Sequence, residues 1–511
     1  MLIKQHYKLL VLLFFIFGNY VCFAQNTNHP KREFRGVWIA TVANIDWPNS
    51  NQLSASEQQD QFIYLLDQQK RDGINTVITQ IRPAADAFYA KSREPWSSWL
   101  TGAQGRLPYP VYDPLQFMIE ETHKRAMEFH AWFNPYRATH KSARGPVATN
   151  HITRTHPDWF FRYGGQLLFN PGLPEVRNYI VSVVMDVVRN YDIDGIHFDD
   201  YFYPYPEPNQ TLQDWATFKK YPNGFTNIDD WRRNNVNLLI KMVHDSIKAT
   251  KPYVKFGISP FGIWKNSVTD DDEGSLTDGG SSYYRQYADS REWIKQGWVD
   301  YMLPQVYFQI GHPKADFETL VDWWNTNNYG RHIYIGMGAY RIGSDPAWRR
   351  ATHMPDELKI TRSYENVQGQ AWFSAKSLIR NIQGFTDTLR NNYYRYQALP
   401  PTMPWIDSIP PNAPKEFIAV QTNPGVVKLS WKAPDVAKDG GTARGYVIYR
   451  FTKNEATNIL DAKHIITVVY NETSFTDTEP KPKQRYVYVI TALDRLQNES
   501  VDWCVSSVLL N

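Results

Sequence analysis

The chain has 511 residues, 15% of them aromatic, and a formal net charge of +3 at neutral pH. Its length exceeds one ordinary domain and predicts two or three. The near-balanced charge, with no basic tract, excludes a nucleic-acid partner, while the aromatic content supplies both a large core and flat surfaces for ligands.

Taken in order, Lys4 and Lys8 precede an apolar run from Leu9 to Phe17, and Cys22-Phe23-Ala24 offers a cleavage end. Residues 1–24 therefore read as a cleaved secretion signal. The run is too short to span a bilayer, and no other stretch is apolar enough to do so. Cys22 invites a lipoprotein reading, but Val21 stands where a small residue is wanted. Cys504 is then the only cysteine left, which precludes an intrachain disulfide. The expected product is exported, periplasmic or extracellular, and has no transmembrane segment.

After the leader, strands and helices alternate. Arg35 to Val42 reads as a buried strand. Ser54-Ala55-Ser56-Glu57 then fits a capping box before a helix with Phe62, Leu65 and Leu66 on one face. Asn75–Arg82 and His130–Asn134 are the next strands, separated by a helix that Pro114 opens. Pro174 starts a strongly periodic helix carrying Val176, Ile180, Val183, Val184 and Val187, which feeds a strand at Gly195. Further strands are expected at Phe256–Ser259, Tyr301–Tyr307, Ile333–Gly338 and Gln370–Ser374, with a helical pattern before each. Eight strands alternating with helices predict an α/β fold, a closed parallel (β/α)₈ barrel over residues 32–395. The open doubly wound sheet lacks support, since no Gly-rich nucleotide fingerprint follows the first strand. Pro304 inside a central strand implies a bulge.

Residues 396–414 change character: Pro400, Pro401, Pro404, Pro410, Pro411 and Pro414 predict a stiff linker. Beyond it the period becomes two, with Val427, Leu429 and Trp431 alternating with polar residues, so residues 415–511 read as a small β-sandwich. The placing of Trp431, the Gly445-Tyr446 strand and the Arg485-Tyr486-Val487-Tyr488 run resemble a fibronectin type III domain. With no evident acid pair, this domain is expected to be a non-catalytic spacer or docking module.

The stretch Asp194-Gly195-Ile196-His197-Phe198-Asp199-Asp200-Tyr201 carries the clearest chemistry. Alternation along a strand puts Ile196 and Phe198 on one face and His197, Asp199 and Tyr201 on the other. In a parallel barrel the second face points to the axis, with Asp199 at the C-terminal end where such barrels place their active sites.

Several ordered motifs join this one: Phe34-Arg35-Gly36-Val37-Trp38, Asn44-Ile45-Asp46-Trp47-Pro48, Ser259-Pro260-Phe261-Gly262, Tyr287-Ala288-Asp289-Ser290-Arg291 and Pro304-Gln305-Val306-Tyr307. Together they resemble the glycosyl-hydrolase-like 10 family of bacterial envelope proteins. The resemblance implies a barrel glycosidase acting on bacterial wall glycan, with peptidoglycan strands stripped of stem peptides as the substrate. Phe308 stands where the family usually shows tryptophan.

Glycoside cleavage by the common route needs two carboxyl groups. Asp199 is the first by strand parity. Asp200, turned away by strict alternation unless the strand end bends, ranks next as its partner, followed by Asp86 on the loop after the second strand. Glu94, Asp46 and the acidic run Asp270-Asp271-Asp272-Glu273 are further sources. Polar groups recur at strand ends with shared parity: Gln80 with Arg82, Asn134 with Tyr136, Gln305 with Tyr307. These, with His197, Tyr201 and Trp372, are candidates for binding sugar hydroxyls or stacking on sugar faces; the alternative is that they fill the barrel top. One histidine beside two adjacent aspartates is a poor zinc cage, and no cofactor or metal is expected. Ser259 lacks the glycine-flanked elbow of a serine hydrolase. The alternative to an enzyme is a non-catalytic glycan-binding protein on the same scaffold. Oligomeric state leaves no mark on the sequence.

Overall fold

The computed structural model describes residues 29–143, 145–269 and 273–511. The expected secretion signal and Asp270-Asp271-Asp272 lie outside the described residues. Eight parallel strands close into a barrel in sequential order: β1 Phe34–Ile39, β2 Thr76–Arg82, β3 Glu128–Phe133, β4 Gly195–Phe198, β5 Lys255–Ile258, β6 Tyr301–Met302, β7 His332–Met337 and β8 Val367–Trp372. The connecting helices obey local rules. Ser54 and Glu57 form the reciprocal capping box that starts the helix Ala55–Arg71. Pro174 opens the helix Pro174–Asn190, whose Val176, Ile180, Val183, Val184 and Val187 are buried against the barrel. No helix among the described residues is long and apolar enough to cross a membrane.

Strand parity places the key stretch as expected. Ile196 and Phe198 join the outer core between strands and helices, while His197 points inward. Strand β6 is much shorter than its apolar pattern suggests. Pro304 has no N–H to donate, so pairing stops at Met302 and resumes only as isolated bridges from Gln305 to Phe261 and Gly336. The interruption swings Gln305 and Tyr307 into the mouth of the barrel.

The barrel interior holds a column of hydrogen-bonded polar groups. Trp38 Nε1–H can only donate, so His197 Nε2 accepts from it (3.3 Å) and also lies 2.9 Å from Ser259 Oγ. His197 Nδ1–H must then donate to the Tyr301 hydroxyl (3.0 Å), which donates to His130 Nδ1 (2.8 Å). His130 Nε2–H is left to donate to Glu128 Oε2 (3.2 Å). Lys255 Nζ anchors that carboxylate at 2.6 and 2.7 Å. Burial opposes its charge, but Lys255 and His130 hold Glu128 down at about 2. The bulky Tyr301 ring fits only because position 257 is glycine; a Cβ there would lie 1.9 Å from the ring.

Residues 415–511 form two antiparallel sheets. The strands are β9 Lys415–Asn423, β10 Val426–Lys432, β11 Gly445–Thr452, β12 Ile465–Tyr470, β13 Ser474–Asp477, β14 Arg485–Leu493 and β15 Cys504–Leu509. One sheet has the order β9-β10-β13 and the other β12-β11-β14-β15. Val427, Leu429 and Trp431 of the first pack against Tyr446, Ile448 and Tyr488 of the second, which makes a sandwich.

The sandwich does not hang free. It docks on the N-terminal ends of the barrel strands, opposite the mouth. Arg444 pairs with Asp194, His123 Nε2 lies 2.8 Å from the same carboxylate, and Gln497 donates to Glu128 (3.1 Å) at the foot of the polar column. Residues 396–414 are not the stiff spacer their prolines suggest. They run as a strap across the barrel's lower opening: Met403 enters the interior cluster, and Trp405 Nε1 donates to Asp300 (3.1 Å) while its ring meets His332 edge-on.

Candidate active site

The barrel mouth opens into a cavity of about 510 Å³, walled by residues at or just after the ends of all eight strands. Asp199 and Asp200 both line it and are almost fully buried, at 4% and 5% exposure. Strand β4 ends at Phe198, and the chain bends at Asp200, so strict alternation no longer applies and the second carboxyl returns to the cavity. Asp199 Oδ2 accepts from Trp132 Nε1 and Asn134 Nδ2, each at 3.0 Å. The Tyr205 hydroxyl donates to Asp200, and Gln305 also supports its charge.

Burial pushes the Asp199 carboxyl up to about 7 against the opposing pull of Arg137, and the neighbouring Asp200 adds to the rise. Burial raises Asp200 too, opposed by the hydrogen bonds from Tyr205 and Gln305. Two adjacent carboxyls in a poorly solvated cavity disfavour each other's ionisation, so Asp199 keeps its proton to near neutral pH.

Of the other sequence candidates, Gln80, Tyr201, Gln305 and Tyr307 line the same cavity. Gln80 accepts from the backbone N–H groups of Thr41 (3.2 Å) and Val42 (2.9 Å), and its buried Nε2 has no partner among the described residues. Asn134 is reached through Asp199 and lines an adjoining chamber of about 170 Å³.

Five expectations need correction. Asp86 does not line the cavity; its carboxyl accepts from Ala84 N–H (3.3 Å) and Gln104 (3.4 Å) and organises its own loop, although burial pushes it up to about 7. Arg82 is spent on a buried ion pair with Glu94 at 2.6 Å and on the Asn134 carbonyl, which removes Glu94 as well. Tyr136 is buried in the outer core, beyond reach of the cavity lining. Trp372 faces outward too, donating to the Tyr394 hydroxyl (3.1 Å) and packing edge-on against Phe385. His197 lies beneath the cavity floor and touches it only through Trp38 and Ser259; burial keeps its imidazole neutral.

A family model described as "Glycosyl hydrolase-like 10" matches residues 33–351, more than half of the chain. The chain belongs to the glycosyl hydrolase-like 10 family. It is 45% identical over 476 residues to "Glycosyl hydrolase YngK" of Bacillus subtilis (strain 168), covering 92% of each chain. To "Glycosyl hydrolase DigH" of Escherichia coli (strain K12) it is 37% identical over 372 residues, 68% of this chain and 84% of that one. Among solved structures, the PgaB (BpsB) glycoside hydrolase domain from Bordetella bronchiseptica aligns with 70% of this chain and 98% of its own, at 12% identity and a TM-score of 0.47.

Within this glycosyl hydrolase-like 10 barrel, several wall residues escape sequence reasoning. Trp38 and Trp132 flank the carboxyls from β1 and β3, and Phe261 and Phe373 complete an apolar rim with Phe308, which the sequence had marked. Arg137 follows β3, is 7% exposed, and lays its guanidinium 4.5 Å over the Tyr201 ring. Arg341 follows β7, on the opposite side of the ring of strands. Both stand on loops, where no periodicity announces them. A cation three residues past Asn134, itself at a strand end, is the one signal that could have found Arg137.

Proposed function

We propose that this protein is an exported glycoside hydrolase that cleaves glycosidic bonds in bacterial cell-wall glycan, with peptidoglycan strands lacking stem peptides as its substrate. The observation that carries this reading is the pair of buried carboxyls at one strand end, inside an open cavity walled by aromatic rings. Flat rings bind the apolar faces of sugars, and two carboxyls supply the proton transfers that glycoside cleavage needs.

In this reading Asp199 is the general acid. Its carboxyl, raised to about 7, keeps its proton near neutral pH and can pass it to the departing glycosidic oxygen. Asp200, hydrogen-bonded by Tyr205, is the better-stabilised anion and faces the developing positive charge at the sugar ring. Asn134 and Trp132 fix the orientation of Asp199, and the polar column beneath fixes Trp38. The sandwich, read as fibronectin type III-like, contributes no cavity residue and serves to dock and seal the lower end.

The deciding experiment is release of new reducing ends from purified wall glycan freed of peptides. Release that persists in the presence of a chelator is expected. Tight binding without release would leave the barrel as a glycan-binding scaffold. Activity lost with chelator and restored by zinc would replace the carboxyl mechanism.

A further inference from the structure

The cavity wall holds two guanidiniums that its carboxyls do not pair. Arg137 and Arg341 enter from strands on opposite sides of the barrel, and neither has a carboxylate within ion-pair distance among the described residues. The Arg137 guanidinium makes one weak hydrogen bond, to the Pro83 carbonyl at 3.3 Å. Arg341 makes no side-chain hydrogen bond to any described residue, and its Nε is shut off from solvent with no partner. Lys141 adds a third cation beside Arg137 in the adjoining chamber, where Glu207 is the one facing acid. The two cavity carboxyls are engaged elsewhere, Asp199 by Trp132 and Asn134 and Asp200 by Tyr205. A buried guanidinium N–H left unpaired is costly, and the usual solution is a planar anion that accepts two parallel hydrogen bonds.

We infer that Arg341 is a specificity-determining residue that binds a carboxylate substituent of the glycan, with Arg137 supplying the matching positive charge across the cavity. The ligand class is an oligosaccharide bearing free carboxylates, either on a lactyl ether or as a ring hexuronate. The inference rests on the glycosidase reading and deepens it. A wall strand whose carboxyl is tied up in an amide to peptide offers no anion to Arg341, so the same residue favours stripped strands over substituted ones.

The test uses the full-length protein and three matched probes. These are wall-glycan oligosaccharides with free lactyl carboxylates, the same oligosaccharides with those groups converted to methylamides, and hyaluronan oligosaccharides. Wild-type kcat/KM for the free carboxylate should exceed that for the methylamide by about 10- to 100-fold, the worth of one charged hydrogen-bonding contact. Arg341→Gln should reduce that ratio to roughly threefold or less, and Arg341→Lys should restore part of it, as a charge without the planar fork. Calorimetric titration of the same probes reads the ratio as affinity and does not depend on turnover. Equal rates and equal affinities for the first two probes in wild type would overturn the inference while leaving the glycosidase reading intact. An undiminished ratio in Arg341→Gln would overturn the role of this residue. Failure to release reducing ends from any probe would instead refute the glycosidase reading, and the affinity ratio would still decide the inference. Hyaluronan bound or cut as well as lactyl strands would place the carboxylate on the ring.

Discussion

Replacing Asp199 by asparagine should make the protein inactive and, at alkaline pH, more stable. The amide can place its oxygen where Oδ2 accepts from Trp132 and Asn134 at 3.0 Å, which leaves only the longer contacts of Oδ1, at 3.3 Å to Asn134 and 3.4 Å to the Tyr201 N–H, facing an NH₂ group. Little hydrogen bonding is lost. The charge, however, is expensive where it stands: its carboxyl is raised from 3.8 to about 7 by burial. Each pH unit between folded and unfolded values is worth about 1.36 kcal/mol, so the ionised side chain costs the folded state roughly 4 kcal/mol. The sign follows from proton uptake. Below pH 4 both states are protonated and the cost is absent; it grows as pH rises through 7 and is constant above. Unfolding entropy of about 2.1 cal/mol/K per residue makes 1 kcal/mol worth roughly 1 °C in a chain of this length. Calorimetry should therefore find Asp199→Asn matching wild type at pH 4 and melting about 4 °C higher at pH 8, with turnover down by ~10³-fold or more as expected for a lost general acid. A gain no larger at pH 8 than at pH 4 would refute the desolvated carboxyl. Near-normal turnover would refute its role.

Tyr205→Phe removes the hydroxyl that donates to Asp200, so that carboxyl should rise further; the acid limb of the pH–rate profile should move to higher pH and kcat fall about tenfold. Arg444→Met leaves Asp194 buried without its main cation, and thermal melts should show a loss of about 3–5 kcal/mol, as for a broken buried pair. Because Arg444 and His123 hold Asp194 well below its usual range, although burial opposes them, that stability is present above pH 4 and lost as pH falls; the variant's acid limb should be correspondingly flatter. Truncation at residue 395 exposes the same carboxylate and removes Met403 and Trp405, and circular dichroism should show a barrel that melts well below the intact chain.

The eight strands and the inward face of β4 were legible because period-two and period-3.6 patterns follow from side-chain geometry. The parity that sends Ile196 and Phe198 outward also fixed Asp199. The limits have physical causes as well. Strands of a parallel barrel are buried on both faces, so nothing in Gln370-Ala371-Trp372 reveals which apolar residue points inward; Ala371 does, and Trp372 packs outward. Tyr136 lies past the end of β3, where alternation has no meaning. Asp200 was readable only on condition of a bend at the strand end, and the bend is there. Arg82 and Glu94 looked like site groups because both are charged and near strand ends, but two such groups within reach neutralise each other. The prolines of residues 396–414 spoke for stiffness and were silent about Met403 and Trp405, whose roles depend on an opening that exists only once the barrel has closed.

That strap and the sandwich set an order of events. A ribosome delivers Glu128 and Asp194 long before Arg444 and Gln497, which complete their hydrogen bonds. Until the last hundred residues emerge, Glu128 has only Lys255 and His130, and Asp194 only His123 and the Phe129 N–H, so the base of the barrel lacks its final ion pair and its lower end is open. Final closure is thus timed by the C-terminus. A truncated barrel is weaker at its base, and the complete chain seals it.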